Sequence, residues 1–337
     1  MSKTKLSAYK DWEIRNPSPV LILTCNRWAH LKRLLDALQA CPLAEKTHLY
    51  VALDAAFSDL VAPETERIAR YVRTLEGFSG VTLWKQKTNI GRICNYNQAI
   101  DKVFELHDRV IFLEDDNIVA CNFLLFMNSA MESFSSDPRC FSVSGYTFQP
   151  SKEADPIADF YRAPYFSAWG SGLFRDRYLR GNELVKLYGT KPSKYFLNPL
   201  NYAKARKLDP RLFAMYNEGI ISGKIYGDVL TRLHIMKNNL YSIFPATTKV
   251  INQGFDGTGT HCGVLDKPFH EFFEKENQRT FCFALNPATD VYFQRKNCDW
   301  FSRQWPEIST QSLSFFWKYL VRAVGLRTVS LRNQKYL

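Results

Sequence analysis

The sequence contains no apolar run near the roughly 18 residues that a membrane-spanning helix needs. Its first ten residues, Met-Ser-Lys-Thr-Lys-Leu-Ser-Ala-Tyr-Lys, lack the apolar segment of a secretory signal, so the expectation is a protein made and kept in the cytosol. None of its eight cysteines (25, 41, 94, 121, 140, 262, 282 and 298) falls in a C-x-x-C pair, which gives neither a zinc site nor a disulfide framework to read. Zinc fingers, RNA-recognition aromatic motifs and lysine-rich stripes are missing too, and nucleic acid is set aside as a partner. No G-x-G-x-x-G follows the first expected strand and no G-x-x-x-x-G-K-[ST] occurs, so neither a dinucleotide fingerprint nor a P-loop is available.

What is present is a 337-residue chain of ordinary globular composition, 46% apolar and 23% charged, long enough for one large α/β domain or two ordinary ones. Its net charge of +11 calls for an anionic partner, either anionic lipid or a phosphorylated substrate. Aromatic content is 15%, which suits stacking on sugars or flat rings as well as core packing.

The most informative stretch is Val110-Ile-Phe-Leu-Glu-Asp-Asp-Asn117, a short apolar run ending in three consecutive acids. Four apolar residues bounded by polar sequence read as a buried central strand. In open α/β sheets the carboxyl ends of the strands line the ligand crevice, which sets Glu114, Asp115 and Asp116 at its rim. Adjacent like charges resist burial unless a cation compensates them, and a divalent metal with oxygen ligands meets that need; the alternative is an acidic loop.

Upstream, strands are expected at Val20–Thr24, His48–Asp54 and Val81–Gln86, with helices between them. The first helix carries Leu31, Leu34, Leu35 and Leu38 at helical spacing. The second begins near Pro63 and stops at Gly77, and the third begins near Asn95 after a turn at Gly91. This alternation implies right-handed crossovers and a parallel sheet covered on both faces. Four strands then deliver polar groups to one rim: Thr24, Asn26 and Arg27; Asp54; the turn from Asn89 to Arg92; and the acid triplet.

Past residue 135 the alternation loosens. Cys140–Gly145 reads as a strand and Gln149–Pro164 as a surface loop. Trp169, beside Gly170, is a candidate stacking platform for a sugar or base, with a core tryptophan as the alternative. Asp228 opens a helix carrying Val229, Leu230, Leu233 and Met236, where an acid can cap the helix or serve as a base. His261 lies in the glycine-rich run Gly254-Phe-Asp-Gly-Thr-Gly-Thr-His261. From 301 to 337 six Lys or Arg oppose one Glu among aromatics, which suits either an interfacial helix on an anionic bilayer or a helix docked on the body of the protein.

This ordered set resembles the GT-A fold of nucleotide-sugar glycosyltransferases, the family 2-like bacterial enzymes and the N-acetylglucosaminyltransferase I group. The matching features are Pro19 to Arg27, Asp54, Asn89-x-Gly91 with Asn97, and Glu114-Asp115-Asp116 in the place of the D-x-D motif. Tyr165–Arg175, with its Trp-Gly pair, and Ile251–His261 extend the likeness to residues 18–263. The resemblance implies an α/β, GT-A-type, mostly parallel sheet. It divides the chain into a nucleotide-sugar-binding half over 1–148, an acceptor-binding half of the same domain over 149–300, and a basic amphipathic segment over 301–337.

By the same resemblance the protein would be a metal-dependent inverting glycosyltransferase using Mn2+ or Mg2+ and a nucleoside-diphosphate sugar, with a glycan or lipid-linked glycan as acceptor. Asp116 would ligate the metal, assisted by His261 on the diphosphate or metal. Asp115 and Glu114 would bind ribose, donor sugar or the metal's waters, Asp54 the base or ribose, and Arg27 or Arg92 the phosphates. Asp228 would be the base, with Glu218 in reserve. The competing readings are a sugar-nucleotide nucleotidyltransferase, against which the sequence lacks a lysine-containing Gly-rich loop after the first strand, and a non-catalytic sugar-binding protein.

Overall fold

The computed structural model describes residues 8–9, 14–148, 159–181, 193–223, 227–257, 273–274 and 280–304. The chain divides into two compact units, Met1–Leu179 with Tyr241–Asp290, and Arg180–Leu240 with Val291–Leu337.

In the first unit a short β1 (Ala8–Tyr9) precedes β2 (Val20–Thr24), α1 (Trp28–Gln39), β3 (His48–Leu53), α2 (Ala62–Arg73), β4 (Gly80–Lys85), α3 (Arg92–Leu106) and β5 (Arg109–Glu114). There follow β6 (Asn117–Val119), α4 (Phe123–Ser133), β7 (Cys140–Ser144), β8 (Phe160–Ala163), β9 (Ser171–Phe174), β10 (Tyr241–Pro245), β11 (Val250–Asn252) and β12 (Phe281–Cys282). Among the described residues eight strands form one sheet in the order β4-β3-β2-β5-β9-β7-β10-β8. The pairs from β4 through β5 are parallel, as is β7 with β10, whereas β9 runs antiparallel to both its neighbours and β8 antiparallel to β10. The sheet is therefore mixed but mostly parallel, as the alternation of elements requires.

The apolar runs explain the layering. β2 lies between β3 and β5 and is buried at every position, so it shows no alternation in sequence. One face of the sheet presents Leu21, Leu23, Tyr50, Ala52, Val110 and Phe112 to Ala99, Ile100, Val103 and Phe104 of α3. α1 buries the Leu31, Leu34, Leu35 and Leu38 stripe that its spacing implies. α4 is buried from Phe123 to Met131, a mostly apolar helix enclosed on all sides by a large core.

Three boundaries differ from expectation. α3 begins at Arg92, not near Asn95, because Gly91 takes φ +79° and turns the chain straight into the helix. α2 stops at Arg73, ahead of Gly77. The expected loop over Gln149–Pro164 contains β8, whose Phe160, Tyr161 and Ala163 are buried where it pairs with β10; residues 149–158 lie outside the described part.

The second unit is helical where described: α5 (Pro199–Leu208), α6 (Leu212–Ser222) and α7 (Gly227–Lys237) bury Phe196, Leu212, Phe213, Tyr216, Val229, Leu233 and Met236 together. α6 ends in Gly223 at φ +73°, the left-handed position that favours glycine. Among the described residues no helix is long and apolar enough to cross a membrane.

Candidate functional site

The chain steps from β2 to β3 on one side and returns to β5 on the other, so the carboxyl ends of β2 and β5 flank the switch point where open α/β sheets bind ligands. The residues leaving those two ends meet there. Arg27 follows β2, and its guanidinium donates to Asp116 Oδ2 at 2.9 Å and to Asp115 Oδ1, bridging two acids that follow β5. Thr24, the last residue of β2, donates its hydroxyl to Asp115 Oδ2 at 2.8 Å. Asp115 and Asp116 are 3% and 7% exposed, so these carboxylates are enclosed and not solvated.

The turn after β5 leads into β6, which pairs with β11 so that Asn117 faces Asn252. Both side-chain amides donate to Asp116 Oδ1 at 3.1 Å, and Gln253 N–H donates to the Asp116 carbonyl at 2.8 Å. Asn252 Oδ1 in turn accepts the Gly254 N–H at 2.6 Å. Asn117 and Asn252 hold Asp116 at this rim, and sequence reasoning assigns them no role. The only available signal is that one adjoins the acid triplet and the other opens an Asn-x-Gly run.

Charge at this rim is out of balance. Burial, followed by the neighbouring Asp116 charge, pushes the Glu114 carboxyl up to about 7, and Arg92 at 3.4 Å only partly offsets it. Burial also pushes Asp115 up to about 6 against the opposing pull of Arg27. Burial disfavours the Arg27 charge, but Asp115 and Asp116 outweigh it and raise its pKa. Cys25 sits beside the same groups, and burial together with Asp54 and Asp115 pushes its thiol up to about 11, so it is a packing residue, not a nucleophile.

Asp54, 4% exposed, follows β3 and is engaged by backbone donors: Oδ1 accepts from Ala55 and Ile90, Oδ2 from Gly91. A carboxylate offers about four acceptor positions, so roughly one remains. Asp54 thus fastens the 89–92 turn to the sheet, helped by the exposed Asn89, whose amide donates to the Ala55 carbonyl at 2.6 Å. Arg92 is exposed at the start of α3, and Asn26 is half-buried. α1 and α3 both begin at this rim, and neither has a side-chain cap or an acid in its first turn. Their free N–H groups and positive dipole ends therefore favour an anion.

Trp169 is half-buried and edge-on to Tyr146 and Phe255, with centroids 4.7 and 5.9 Å away. In the second unit Asp228 lies in the first turn of α7, its side chain 32% exposed, and Arg232 donates to its Oδ2 at 3.2 Å. Glu218 is exposed on α6. His261 and nearly all of the basic C-terminal segment lie outside the described residues.

Among the described residues no three His, Cys, Asp or Glu side chains group as a complete metal shell. The donor set nevertheless fits a hard cation that takes one or two carboxylates from protein and the remaining ligands from phosphate and water. Gly254 keeps the space at Asp116 Oδ2 open, since a Cβ there would stand 2.5 Å from that oxygen.

The mostly parallel α/β sheet thus carries an acid triplet, a bridging arginine and two uncapped helix N-termini at its switch point. The family model for the GNT-I family matches residues 2–180, and the chain belongs to that family. No curated protein sequence matches it. Among solved structures it is similar to the mannosyltransferase PcManGT from Pyrobaculum calidifontis in complex with GDP-Man and Mn2+, at 17% identity over 53% of this chain and 50% of that one, with a TM-score of 0.36. It is also similar to S. aureus TarS 1-349 in complex with UDP-GlcNAc, at 14% identity over 49% and 48%, with a TM-score of 0.33. The chain spans about half the length of these two solved chains.

Proposed function

We propose that the protein moves a sugar from a nucleoside diphosphate, held at the rim of the first unit with Mn2+ or Mg2+, to a hydroxyl of a glycan or lipid-linked glycan, with inversion at the anomeric carbon. One observation carries this reading. Two enclosed carboxylates and the half-buried Glu114 share the switch point with a single bridging guanidinium and two uncapped helix N-termini, a setting that calls for added cation and polyanion together.

Asp116 would hold the cation through Oδ2, while Asn117 and Asn252 fix the carboxylate through Oδ1. Bound there, a divalent cation stabilises the charge that develops on the departing diphosphate. Asp115 and Glu114 would orient ribose, sugar hydroxyls or ordered water. The remaining acceptor position of Asp54 suits an N–H of the base, Arg27 and Arg92 suit the phosphates, and Trp169 suits a sugar face. Asp228 would take the proton of the acceptor hydroxyl as its oxygen attacks, a contribution typically worth roughly 10²–10⁴-fold. The cationic segment from 301 onward suits an anionic membrane on the cytosolic side, where a lipid-linked acceptor would be met.

The test combines calorimetric titration of UDP in the presence of Mn2+ with a sugar-transfer assay. Asp116→Asn is expected to lose the Mn2+-dependent part of UDP binding. Asp228→Asn is expected to keep UDP binding and lose transfer. Unchanged Mn2+ dependence in the first would remove the metal assignment, and unchanged turnover in the second would remove the base.

A further inference from the structure

All four oxygens of Asp115 and Asp116 have a partner. Asp115 Oδ2 accepts from Thr24 and Asp116 Oδ1 from the Asn117 and Asn252 amides, which leaves Asp115 Oδ1 and Asp116 Oδ2 to the two arms of Arg27. Neutral donors hold one oxygen of each acid and a single cationic fork holds the other. Among the described residues Arg27 is the only cationic side chain within ion-pair distance of either aspartate. The oxygen that Gly254 leaves uncrowded, Asp116 Oδ2, is the one Arg27 occupies. A guanidinium already stands where an added cation would bind, and a planar fork spanning two carboxylates is among the stronger ion-pair geometries.

We propose that Arg27 is the resident counter-cation of this rim and makes cation loading conditional on a diphosphate: the cation gains Asp116 Oδ2 only as the diphosphate gives the guanidinium another anion to grip. This rests on the donor-site reading above and adds an energetic rule to it. Cation alone must break both arms of the fork and leave two positive groups competing for two carboxylates. Diphosphate alone must approach a net-negative triplet. Together each removes the obstacle to the other, so their binding is coupled, and the coupling is reciprocal. The side chain is suited to the exchange because it is about one-quarter exposed while its partners are enclosed, so the guanidinium can swing and the acids cannot. Arg27 also occupies the N-cap position of α1 without a capping bond, so its movement costs that helix nothing.

Mn2+ binding is measured by electron paramagnetic resonance on the full chain, with and without saturating UDP, for the wild type, Arg27→Gln and Arg27→Lys, with circular dichroism verifying the fold of each. In the wild type Mn2+ alone is expected to bind weakly, and UDP to tighten it by a factor of about 10 to 100. In Arg27→Gln, Mn2+ alone is expected to bind about 10-fold more tightly than in the wild type, with most of the UDP enhancement gone. Arg27→Lys, a point charge that cannot bridge two carboxylates, is expected to fall between them. If UDP tightens Mn2+ in the wild type but Arg27→Gln leaves the affinity for Mn2+ alone unchanged, the counter-cation role is overturned while the donor site stands. If the wild type binds no Mn2+ even with UDP, the donor-site reading fails and this proposal with it. Should Arg27→Gln not fold, Arg27→Lys decides by the same criterion.

Discussion

Asp115 in the first unit and Asp209 in the second are equally enclosed, 3% and 1% exposed, but they are surrounded by opposite balances of charge. Around Asp115 three acids share Arg27 and an exposed Arg92, and the Glu114 and Asp115 carboxyls are pushed up to about 7 and about 6. Asp209 accepts from Arg211 Nε at 3.0 Å, from Arg211 Nη2 at 3.2 Å and from Arg232 Nη1 at 3.2 Å, both arginines being enclosed as well. Burial alone would raise Asp209; the two arginines more than offset it and hold the carboxyl below the ordinary range. A burial cost met by the protein's own charges marks a finished structural cluster. A cost left open at a sheet edge marks a place that a ligand completes.

The largest expected effect tests the finished cluster. Asp209→Ala takes from two enclosed guanidiniums the carboxylate that they share, and breaking a buried pair in this way costs about 3–5 kcal/mol. Urea unfolding should report a loss of that order. A loss under about 1 kcal/mol would mean that water reaches the cluster and that the contrast with the rim is one of degree.

The next effect tests the open rim. Saturation with Mn2+ and UDP at about 100 times their dissociation constants should stabilise the protein by about 2.7 kcal/mol, read as a rise in melting temperature that a chelator abolishes. Asp116→Asn should melt at the same temperature with and without the pair. Asp209→Asn should still respond, because its cluster takes no part in the donor site.

These two regions were not equally legible in the sequence. The apolar run closed by Glu114, Asp115 and Asp116 announces a strand and a rim because both features are local, and the register of β2 and β5 brings Arg27 onto that rim as the alternation implies. The Asp209 cluster left no such trace, since nothing local in the sequence links Asp209 to Arg232 until α6 and α7 pack together. Asn252 was illegible for a related reason: it reaches Asp116 across 136 residues through a three-residue strand pairing that periodicity cannot reveal. β9 was hidden because an antiparallel strand inserted between β5 and β7 obeys none of the crossover rules that predicted the rest.

A smaller effect separates the regions by pH in metal-free protein. Glu114 and Asp115 have folded pKa values above their unfolded ones, so their contribution to stability is full below about pH 4 and is lost as pH rises through about 6 to 7. Asp209 has the opposite sign: its contribution is present above the ordinary carboxylate pKa and is lost as pH falls below it. Unfolding free energies from denaturant titrations at pH 5 to 8 in chelator should therefore decline, by an amount on the order of 1–2 kcal/mol, and Glu114→Gln should flatten that decline. A wild-type profile already flat over this range would show that the rim acids are not short of positive charge.

The smallest expected effect on stability falls on Asn252→Ala, and it refines what an open rim means. The substitution removes one of two amides on Asp116 Oδ1 and the acceptor for the Gly254 N–H, while Asn117 still holds the same oxygen. A single neutral hydrogen bond is worth about 1 kcal/mol net, so the melting temperature should move little. Cation affinity should fall further in proportion, because groups that orient a ligating carboxylate typically affect metal binding about 10- to 100-fold. A loss of stability with Mn2+–UDP affinity intact would make the β6–β11 pairing a fastening of the fold alone. Lost affinity with an intact fold would place Asn252 among the groups that hold Asp116 ready for its cation.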